Sequence, residues 1–195
     1  MNRLMQEISK PCEVVFIDDG STDGTTMMME HQALSDIRYH SIFLSRNFGH
    51  QFALSAGLQF ARGDFIMVLD GDLQDPPELF FDFYSKMQEG YDVVYGIRKK
   101  RKENMLKRTA YYLFYRILKL ISDYKIPLDS GDFALISKRV AKTMTSLTEH
   151  SRFLRGLRSW VGFRQTGIEY ERQARASGDS KYSFRKLIRL GSDGV

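Results

Sequence analysis

Apolar and polar positions follow two alternating patterns along the first half of the chain. Four short apolar runs, each followed by a polar loop, are typical of buried strands. Between these runs, apolar residues recur at three- and four-residue spacing, which predicts helices that bury one face. The predicted strands are EVVFI (13–17), YHSIFL (39–44), DFIMVL (64–69) and YDVVYG (91–96). Strands that alternate with single helices form βαβ units, so the pattern predicts an α/β fold with a mostly parallel sheet flanked by helices.

The second half of the chain has a less regular pattern. Residues 104–121 predict an amphipathic helix with an aromatic face and a basic face, and SGDFALIS (130–137) predicts a further strand. QTGIEYERQ (165–173) predicts a last strand, which a polar loop (174–183) and a closing helix follow. A chain of 195 residues, 43% of them hydrophobic, can bury the core of one ordinary domain. We therefore expect a single domain over residues 1–195.

Two polar clusters directly follow predicted strands. DDGSTDGT (18–25) follows the first strand, and DGDLQDPPE (70–78) follows the third. Because ligands of such sheets bind beyond the carboxyl ends of the strands, we expect both clusters to face one site. Each cluster taken alone is also explained by turn formation, since Asp, Ser and Gly favour turns. Asp75, directly before two prolines, is predicted to cap the helix that follows.

The second cluster carries the residue types that bind a hard divalent cation. Asp70 and Asp72 form an Asp-x-Asp pair, and Gln74 adds an amide oxygen on the same side of an extended segment. Carboxylates are the ligands that Mg²⁺ and Mn²⁺ prefer, and these ions can keep further positions for diphosphate oxygens. The pair therefore predicts a site for Mg²⁺ or Mn²⁺, with two turn-forming aspartates as the alternative.

The charge and composition of the chain limit the kinds of partner that it can bind. The net charge of +5 and the pI of about 9.3 indicate an anionic partner, which could be a phosphate-bearing ligand, a lipid surface or nucleic acid. Basic residues are concentrated in RKKRKENMLKR (98–108), a run that is also typical of a solvated loop. No apolar stretch reaches the roughly 18 residues that cross a bilayer. The lone cysteine, Cys12, and the lack of an apolar signal segment in the first thirty residues predict a reducing, cytosolic-side location.

Four segments, in this order and spacing, resemble glycosyltransferase family 2. They are VVFIDDGSTDGT, LSRNFGHQFALSAGLQFARGDFIMVLDGDLQDPPE, SGDFALISKRV and RASGDSKYSFRKL. The resemblance extends from residue 13 to about residue 192. The chain most resembles the polyprenol-phosphate branch of that family, which includes dolichol-phosphate mannose synthase and bacterial undecaprenyl-phosphate glucosyltransferases. The resemblance implies a GT-A, Rossmann-like nucleotide-diphospho-sugar transferase fold. It implies a nucleotide-sugar-binding half over 13–97 and an acceptor-binding, membrane-proximal half over 98–195.

One segment of the family pattern is missing. Family members usually begin with a strand carrying a VPxYNE-like segment that supplies part of the nucleoside pocket, and nothing like it precedes EVVFIDDGS. The first twelve residues are too few and too polar to replace it. We therefore expect the fold without its usual first strand, and either a truncated chain or an incomplete nucleoside pocket.

The resemblance implies an activity and a set of site residues. The activity is inverting transfer of a sugar from a UDP- or GDP-sugar to an undecaprenyl or dolichyl phosphate, assisted by Mg²⁺ or Mn²⁺. The nucleotide-sugar residues implied are Asp18, Asp19, Ser21, Asn47, Gly49, Asp70, Arg175 and Lys181. The metal ligands implied are Asp70, Asp72 and Gln74, and the acceptor-phosphate residues are Arg98, Ser130 and Arg108. Asp72 and Asp132 are the implied catalytic residues, with a buried carboxylate paired to a neighbouring arginine as the alternative for Asp132.

Two other functions stay open at this point. A carbohydrate hydroxyl could accept the sugar in polysaccharide synthesis, in which case Asp132 would be an obligatory base. A non-catalytic nucleotide-sugar-binding module is the second alternative. Nucleic acid is not an expected partner, because acidic residues concentrate at the predicted site and no nucleic-acid motif is present. A lipid acceptor predicts a peripheral enzyme on the cytoplasmic side of a membrane, with its basic run and aromatic helix at the interface. A membrane-spanning partner or a homo-oligomer is compatible with that prediction.

Overall fold

The computed structural model describes residues 1–72, 74–99, 130–149 and 153–172. The chain divides into two compact units, one formed by 1–66 with 136–152 and the other by 67–135 with 153–195. The single domain and its two predicted halves stay a prediction. The predicted helix at 104–121, the loop at 174–183 and the closing helix lie outside the described residues.

The first unit pairs two parallel strands and covers them with helices. Its elements are α1 (Asn2–Glu7), β1 (Val14–Asp18), α2 (Thr25–Ser35), β2 (Tyr39–Phe43), α3 (His50–Phe60) and α5 (Lys138–Ser146). In the parallel register Val14 lies opposite Tyr39, and Asp18 lies opposite Phe43. Helix α3 contacts β1 and α5. Gly57 allows α3 to lie close to β1, since any side chain there would clash: a Cβ would lie only 2.7 Å from Cδ1 of Ile17.

The second unit is built around the larger sheet of the described residues. Its further elements are a 3-10 helix (Pro77–Leu79), α4 (Phe80–Gln88), β4 (Val93–Arg98), α6 (Leu154–Trp160) and β6 (Gln165–Tyr170). Strands β3 (Phe65–Val68) and β5 (Ser130–Ser137) complete the sheet in the order β3-β5-β4-β6, and the boundary between the units falls within these two strands. Strands β4 and β6 are parallel, with Arg98 opposite Tyr170.

A small aromatic core holds the second unit together. Phe83 of α4 is fully buried, and its ring lies 5.1 Å from that of Phe133 on β5. The Phe133 ring in turn lies 5.3 Å from that of Tyr170. A Cβ on Gly96 would lie 2.7 Å from both of these rings, so glycine at this position lets β4 lie between them. This packing positions the end of β6 and the residues that follow it.

The α/β pattern and the strands predicted from the sequence are confirmed. Each predicted strand has a counterpart, displaced by no more than two residues at its start, and the strand at 130–137 matches at both ends. The residues before β1 form the short helix α1, and no strand precedes β1 in the described part of the chain. None of the described helices is long and apolar enough to cross a membrane.

Candidate active site

Hydrogen bonds from uncharged donors to Asp18 stabilise the turn after β1. This residue ends β1 and is only 4% exposed. Its Oδ1 accepts a hydrogen bond from the Ser21 backbone N–H at 3.0 Å, and its Oδ2 accepts one from the Thr26 hydroxyl at 2.7 Å. Hydrogen bonds from Ser21 and Thr26 hold the pKa of Asp18 below its usual value. Asp18 is therefore ionised at neutral pH and braces the connection between β1 and α2.

Asp19 joins the same turn to the loop before α3. Its two carboxylate oxygens accept hydrogen bonds from the backbone N–H groups of Phe48, at 2.7 Å, and Gly49, at 2.9 Å. Gly20 has a φ of 72°, and a Cβ there would lie 2.7 Å from the backbone nitrogen of Asn47. The first unit therefore brings together the five residues that the family resemblance implied for the nucleoside side. These residues are Asp18, Asp19, Ser21, Asn47 and Gly49.

The predicted metal ligands follow β3 in the second unit. Asp72 Oδ1 accepts a hydrogen bond from the Gln74 backbone N–H at 3.1 Å, which closes a local turn. The side chains of Asp70 and Asp72 are 30% and 21% exposed, so both are reachable from solvent. In the described residues no group of three or more His, Cys, Asp or Glu is arranged to hold a metal. Any metal here would depend on the two aspartates, a neutral ligand such as Gln74, and oxygens of the substrate.

A basic side chain that the sequence analysis did not single out lies between these aspartates. Arg172 Nη2 is 3.6 Å from Oδ2 of Asp70 and 3.6 Å from Oδ2 of Asp72. The two carboxylates therefore converge on one positive group. Arg172 comes two residues after the end of β6, which runs parallel to β4. The rule that pointed to the residues after β1 and β3 also covers the residues after β6, and it could have found Arg172.

The prediction that Asp75 caps the following helix is wrong. The 3-10 helix has Pro76 at its N-cap and no side-chain capping bond. Asp75 is instead 3% exposed and accepts hydrogen bonds from the Tyr170 hydroxyl and, at 3.1 Å, from Arg172 Nε. Burial and the hydrogen bond to Asp75 raise the pKa of Tyr170 to about 12. The local Asp-Pro-Pro sequence is typical of a cap, but a buried carboxylate needs donors and finds them on β6 and just after it.

Arg98 and Ser130, predicted to hold the acceptor phosphate, belong to strands β4 and β5 of this unit. Burial opposes the charge of Arg98, but its hydrogen bond with Tyr170 and the nearby carboxylates of Asp75 and Asp70 raise its pKa. A Cβ on Gly131 would lie 2.7 Å from Arg98 Nη2, so this guanidinium lies directly on the backbone of β5. The side chain of Ser130 is not described. Arg108, Arg175 and Lys181 lie outside the described residues, and their roles stay predictions.

Asp132 lies among arginines. Its side chain is 12% exposed, and its Oδ2 is 3.5 Å from Nη2 of Arg155 on α6. Arg158, one turn further along α6, is 4% exposed, and burial lowers its pKa to about 10 against the opposing effect of Asp132. The pairing with an arginine is that of the predicted alternative, although the carboxylate is only partly buried. A catalytic role for Asp132 stays a prediction. The two aspartate turns belong to different units, so their facing one cavity also stays a prediction.

Comparisons with known proteins agree on one family. Residues 2–145 match the model of glycosyl transferase family 2. The uncharacterized glycosyltransferase YkcC of Bacillus subtilis is 43% identical over 196 residues, which cover 100% of this chain and 61% of the relative. The bactoprenol glucosyl transferase of Shigella phage SfV is 40% identical over 196 residues, covering 99% of this chain and 64% of the relative. The chain thus spans about three-fifths of the length of these relatives.

Solved structures support the GT-A fold. Glucosyl-3-phosphoglycerate synthase of Mycobacterium tuberculosis, in complex with Mn²⁺, UDP-glucose and glycerol 3-phosphate, aligns with a TM-score of 0.57 at 19% identity. The alignment covers 98% of this chain and 70% of that one. The mannosyltransferase PcManGT of Pyrobaculum calidifontis, in complex with GDP-mannose and Mn²⁺, aligns with a TM-score of 0.55 at 18% identity. It covers 85% of this chain and 48% of that one. At these identities the likeness concerns the fold alone.

Proposed function

This chain belongs to glycosyltransferase family 2, and we propose that it transfers a sugar from a nucleoside diphosphate sugar to the phosphate of a polyprenyl lipid. The proposed reaction inverts the anomeric centre and uses Mg²⁺ or Mn²⁺. Relatives about 40% identical over almost the whole chain are named bactoprenol glucosyl transferases, which supports a lipid-phosphate acceptor. The sugar is a hexose, and UDP and GDP are the candidate nucleotides.

One observation carries the donor half of the proposal. Asp70 and Asp72, just after β3, converge on a single positive group within 3.6 Å of each. Hard carboxylate oxygens that are partly exposed and aimed at one cation fit Mg²⁺ or Mn²⁺. Asp70 and Asp72 would hold the ion, and Gln74 would add its amide oxygen. The bound ion would supply positive charge to the departing diphosphate.

The nucleoside would bind at the turn of the first unit. Asp19 holds the loop that contains Asn47 and Gly49 through two backbone hydrogen bonds, so this loop is organised before any ligand arrives. A prearranged pocket avoids part of the ordering cost of binding. Asp18 and Ser21 complete this turn. Arg175 and Lys181 are proposed, from the family motif, to close over the diphosphate.

The acceptor needs a cationic pocket more than a base. A phosphate monoester has a second pKa of about 6, so its oxygens are already largely ionised at neutral pH. Arg98, whose charged form is favoured, would hold the acceptor phosphate together with Ser130 and Arg108. Asp132 would orient this pocket through Arg155, whose Nη2 lies 3.5 Å from its Oδ2. A carbohydrate hydroxyl as the acceptor would instead require Asp132 as the base.

A lipid acceptor requires contact with a membrane. The basic run 98–108 suits the anionic lipids of a cytoplasmic leaflet, where each lysine or arginine contributes about 1 kcal/mol near the surface. We therefore place the protein peripherally at that face. A membrane-spanning partner or a homo-oligomer would strengthen the attachment.

Transfer of radiolabelled sugar to undecaprenyl phosphate in detergent micelles tests the proposal. UDP-glucose, GDP-mannose and other UDP- and GDP-hexoses are each supplied with Mn²⁺, with Mg²⁺ and with EDTA. We expect one nucleotide class to yield a lipid-linked sugar, with no product in EDTA. Asp72→Asn should lower the rate by about 100-fold or more, because the ion would lose a charged ligand.

Asp82→Asn, which removes an exposed carboxylate from α4, is the matched control and should keep the wild-type rate. Lack of a lipid-linked product with every donor, from folded protein, would contradict the proposal. Product that forms equally well in EDTA would contradict the metal requirement alone.

A further inference from the structure

Arg172 contacts three carboxylates in two different ways. Its Nε donates a hydrogen bond to Asp75 Oδ1 at 3.1 Å. Its Nη2 lies 3.6 Å from Asp70 and from Asp72, beyond hydrogen-bond distance. The guanidinium is thus anchored firmly at the buried aspartate and held loosely by the two partly exposed ones. A loosely held charge is the part of this arrangement that another cation can replace.

We propose that Arg172 is the counter-ion that a divalent cation displaces from Asp70 and Asp72, and that the displaced guanidinium, still anchored on Asp75, binds the diphosphate of the donor. The inference rests on the proposed function and adds to it a donor-binding residue that the sequence motifs did not indicate. In the metal-free protein Arg172 keeps the two carboxylates together. In the loaded protein it becomes a ligand of the substrate.

The charges around Arg172 support an exchange. Asp70, Asp72 and Asp75 contribute three negative charges, and Arg172 with the nearby Arg98 contributes two positive ones. These described residues therefore carry one excess negative charge. A divalent cation turns that excess into one net positive charge, which attracts the diphosphate of a nucleotide sugar, an anion with two negative charges. The bound ion therefore favours binding of the diphosphate.

Asp75, which anchors Arg172, can accept a further hydrogen bond. Asp75 Oδ2 is buried and has no hydrogen-bond partner among the described residues, while Oδ1 already accepts bonds from Tyr170 and Arg172. A buried acceptor without a donor is costly, and a guanidinium can present two parallel N–H groups to one carboxylate. When Nη2 leaves the outer aspartates it can complete a bidentate pair with Asp75. This gain offsets part of the cost of separating Arg172 from Asp70 and Asp72.

Asp75 also connects Arg172 to Arg98, a residue of the proposed acceptor site. The Tyr170 hydroxyl donates to Asp75 and accepts a hydrogen bond from Arg98. Arg172, Asp75, Tyr170 and Arg98 therefore form one continuous chain of polar contacts. A change in the position of Arg172 acts on the same buried carboxylate that orients the hydroxyl beside Arg98.

Binding of Mn²⁺ in the absence of nucleotide tests the first half of the proposal. The free Mn²⁺ signal in electron paramagnetic resonance is titrated with the full chain as wild type, Arg172→Gln, Arg172→Lys and the control Arg3→Gln. Arg3 is exposed on α1, where it pairs with Glu7. We expect Arg172→Gln to lower the Kd for Mn²⁺ by about tenfold, because a competing positive charge near 4 Å is removed. Arg172→Lys should fall between, and Arg3→Gln should match the wild type.

Binding of UDP and of GDP at saturating Mn²⁺ tests the second half. Isothermal titration should show that Arg172→Gln weakens the preferred nucleotide by about tenfold, since a charged hydrogen bond to phosphate is lost. The same substitution thus acts in opposite directions on the ion and on the nucleotide. A purely structural role for Arg172 would weaken both.

Unchanged or weaker Mn²⁺ binding in folded Arg172→Gln overturns the proposal, and so does the absence of Mn²⁺ binding in every variant. Unchanged nucleotide affinity overturns its second half. Thermal unfolding shows whether each variant is folded. If Arg172→Gln does not fold, it is replaced by the double variant Arg172→Gln with Asp75→Asn. The second substitution neutralises the buried carboxylate that has lost its arginine. A tenfold gain in Mn²⁺ affinity without sugar transfer from any donor would leave the exchange intact while contradicting the proposed function.

Discussion

The aspartates after β1 and those after β3 have similar local sequences and opposite electrostatic surroundings. Asp18 and Asp19 are satisfied by backbone N–H groups and a hydroxyl, which are neutral donors fixed to the fold. Asp70 and Asp72 face a guanidinium at 3.6 Å. Fixed neutral donors make a carboxylate part of the framework, whereas a loosely held cation leaves it available for another positive charge. The first turn is therefore part of the framework of the fold, and the second turn is the one for which we propose exchange of the cation.

The largest expected difference between substitutions in the two turns is in the rate of sugar transfer. Asp70→Asn with Asp72→Asn should lower sugar transfer by about 100-fold or more, because both charged ligands proposed for the ion are removed. The unfolding midpoint should fall less than it does in Asp18→Ala, since both side chains are partly exposed. The two measurements are radiolabelled transfer and thermal unfolding by circular dichroism. Retained transfer in the double variant would show that the second turn does not hold the ion.

The next largest effect is on stability and concerns Asp18. Asp18→Ala should lower the free energy of unfolding by about 2 kcal/mol, because the N–H of Ser21 and the hydroxyl of Thr26 lose a charged acceptor. Urea unfolding measures the change. Asp23→Ala, in the same turn but exposed, is the control and should have a much smaller effect. If the two substitutions cost the same, Asp18 is not the support of the turn.

A pair of glycines sharpens the description of the first turn. Gly20 and Gly24 both have positive φ, but a Cβ on Gly20 would lie 2.6 Å from the backbone of Arg46, while one on Gly24 would meet only Met27 at 3.9 Å. Gly20→Ala and Gly24→Ala therefore carry a similar backbone penalty of about 1 kcal/mol. Only Gly20→Ala also displaces the loop held by Asp19, which should cost about 1 kcal/mol more and weaken nucleotide binding. Equal nucleotide affinity in the two variants would contradict the support role of that loop.

The smallest expected effect is the pH dependence of the stability that Asp18 contributes. The pKa of Asp18 is lowered from 3.8 in the folded chain. A carboxyl group of this kind adds stability above its unfolded pKa, and that stability is lost as the pH falls through the folded pKa. The difference in unfolding free energy between wild type and Asp18→Asn should be constant from about pH 6 to 8 and narrow below about pH 4. A difference that grows on acidification would give the opposite sign and contradict the assigned hydrogen bonds.

The positions of the strands could be predicted because apolar periodicity is a local property. The grouping of Asp19 with Asn47 and Gly49 could also be predicted, since the resemblance to the family motif implies it. Asp75 was assigned incorrectly for a physical reason. Its local sequence is that of a helix cap, but burial in the second unit gave its carboxylate stronger donors, Tyr170 and Arg172, about a hundred residues away along the chain.

The sequence by itself determined the order of strands and helices, the polar residues at the end of β1 and just after β3, and the family to which the chain is similar. Tertiary structure alone decided the partners of those polar residues: neutral backbone donors for Asp19, Arg155 for Asp132, and Arg172 for Asp70 and Asp72. The reason is that secondary structure follows from neighbours along the chain, whereas the energy of a charge depends on every group within a few ångströms, most of them distant in sequence.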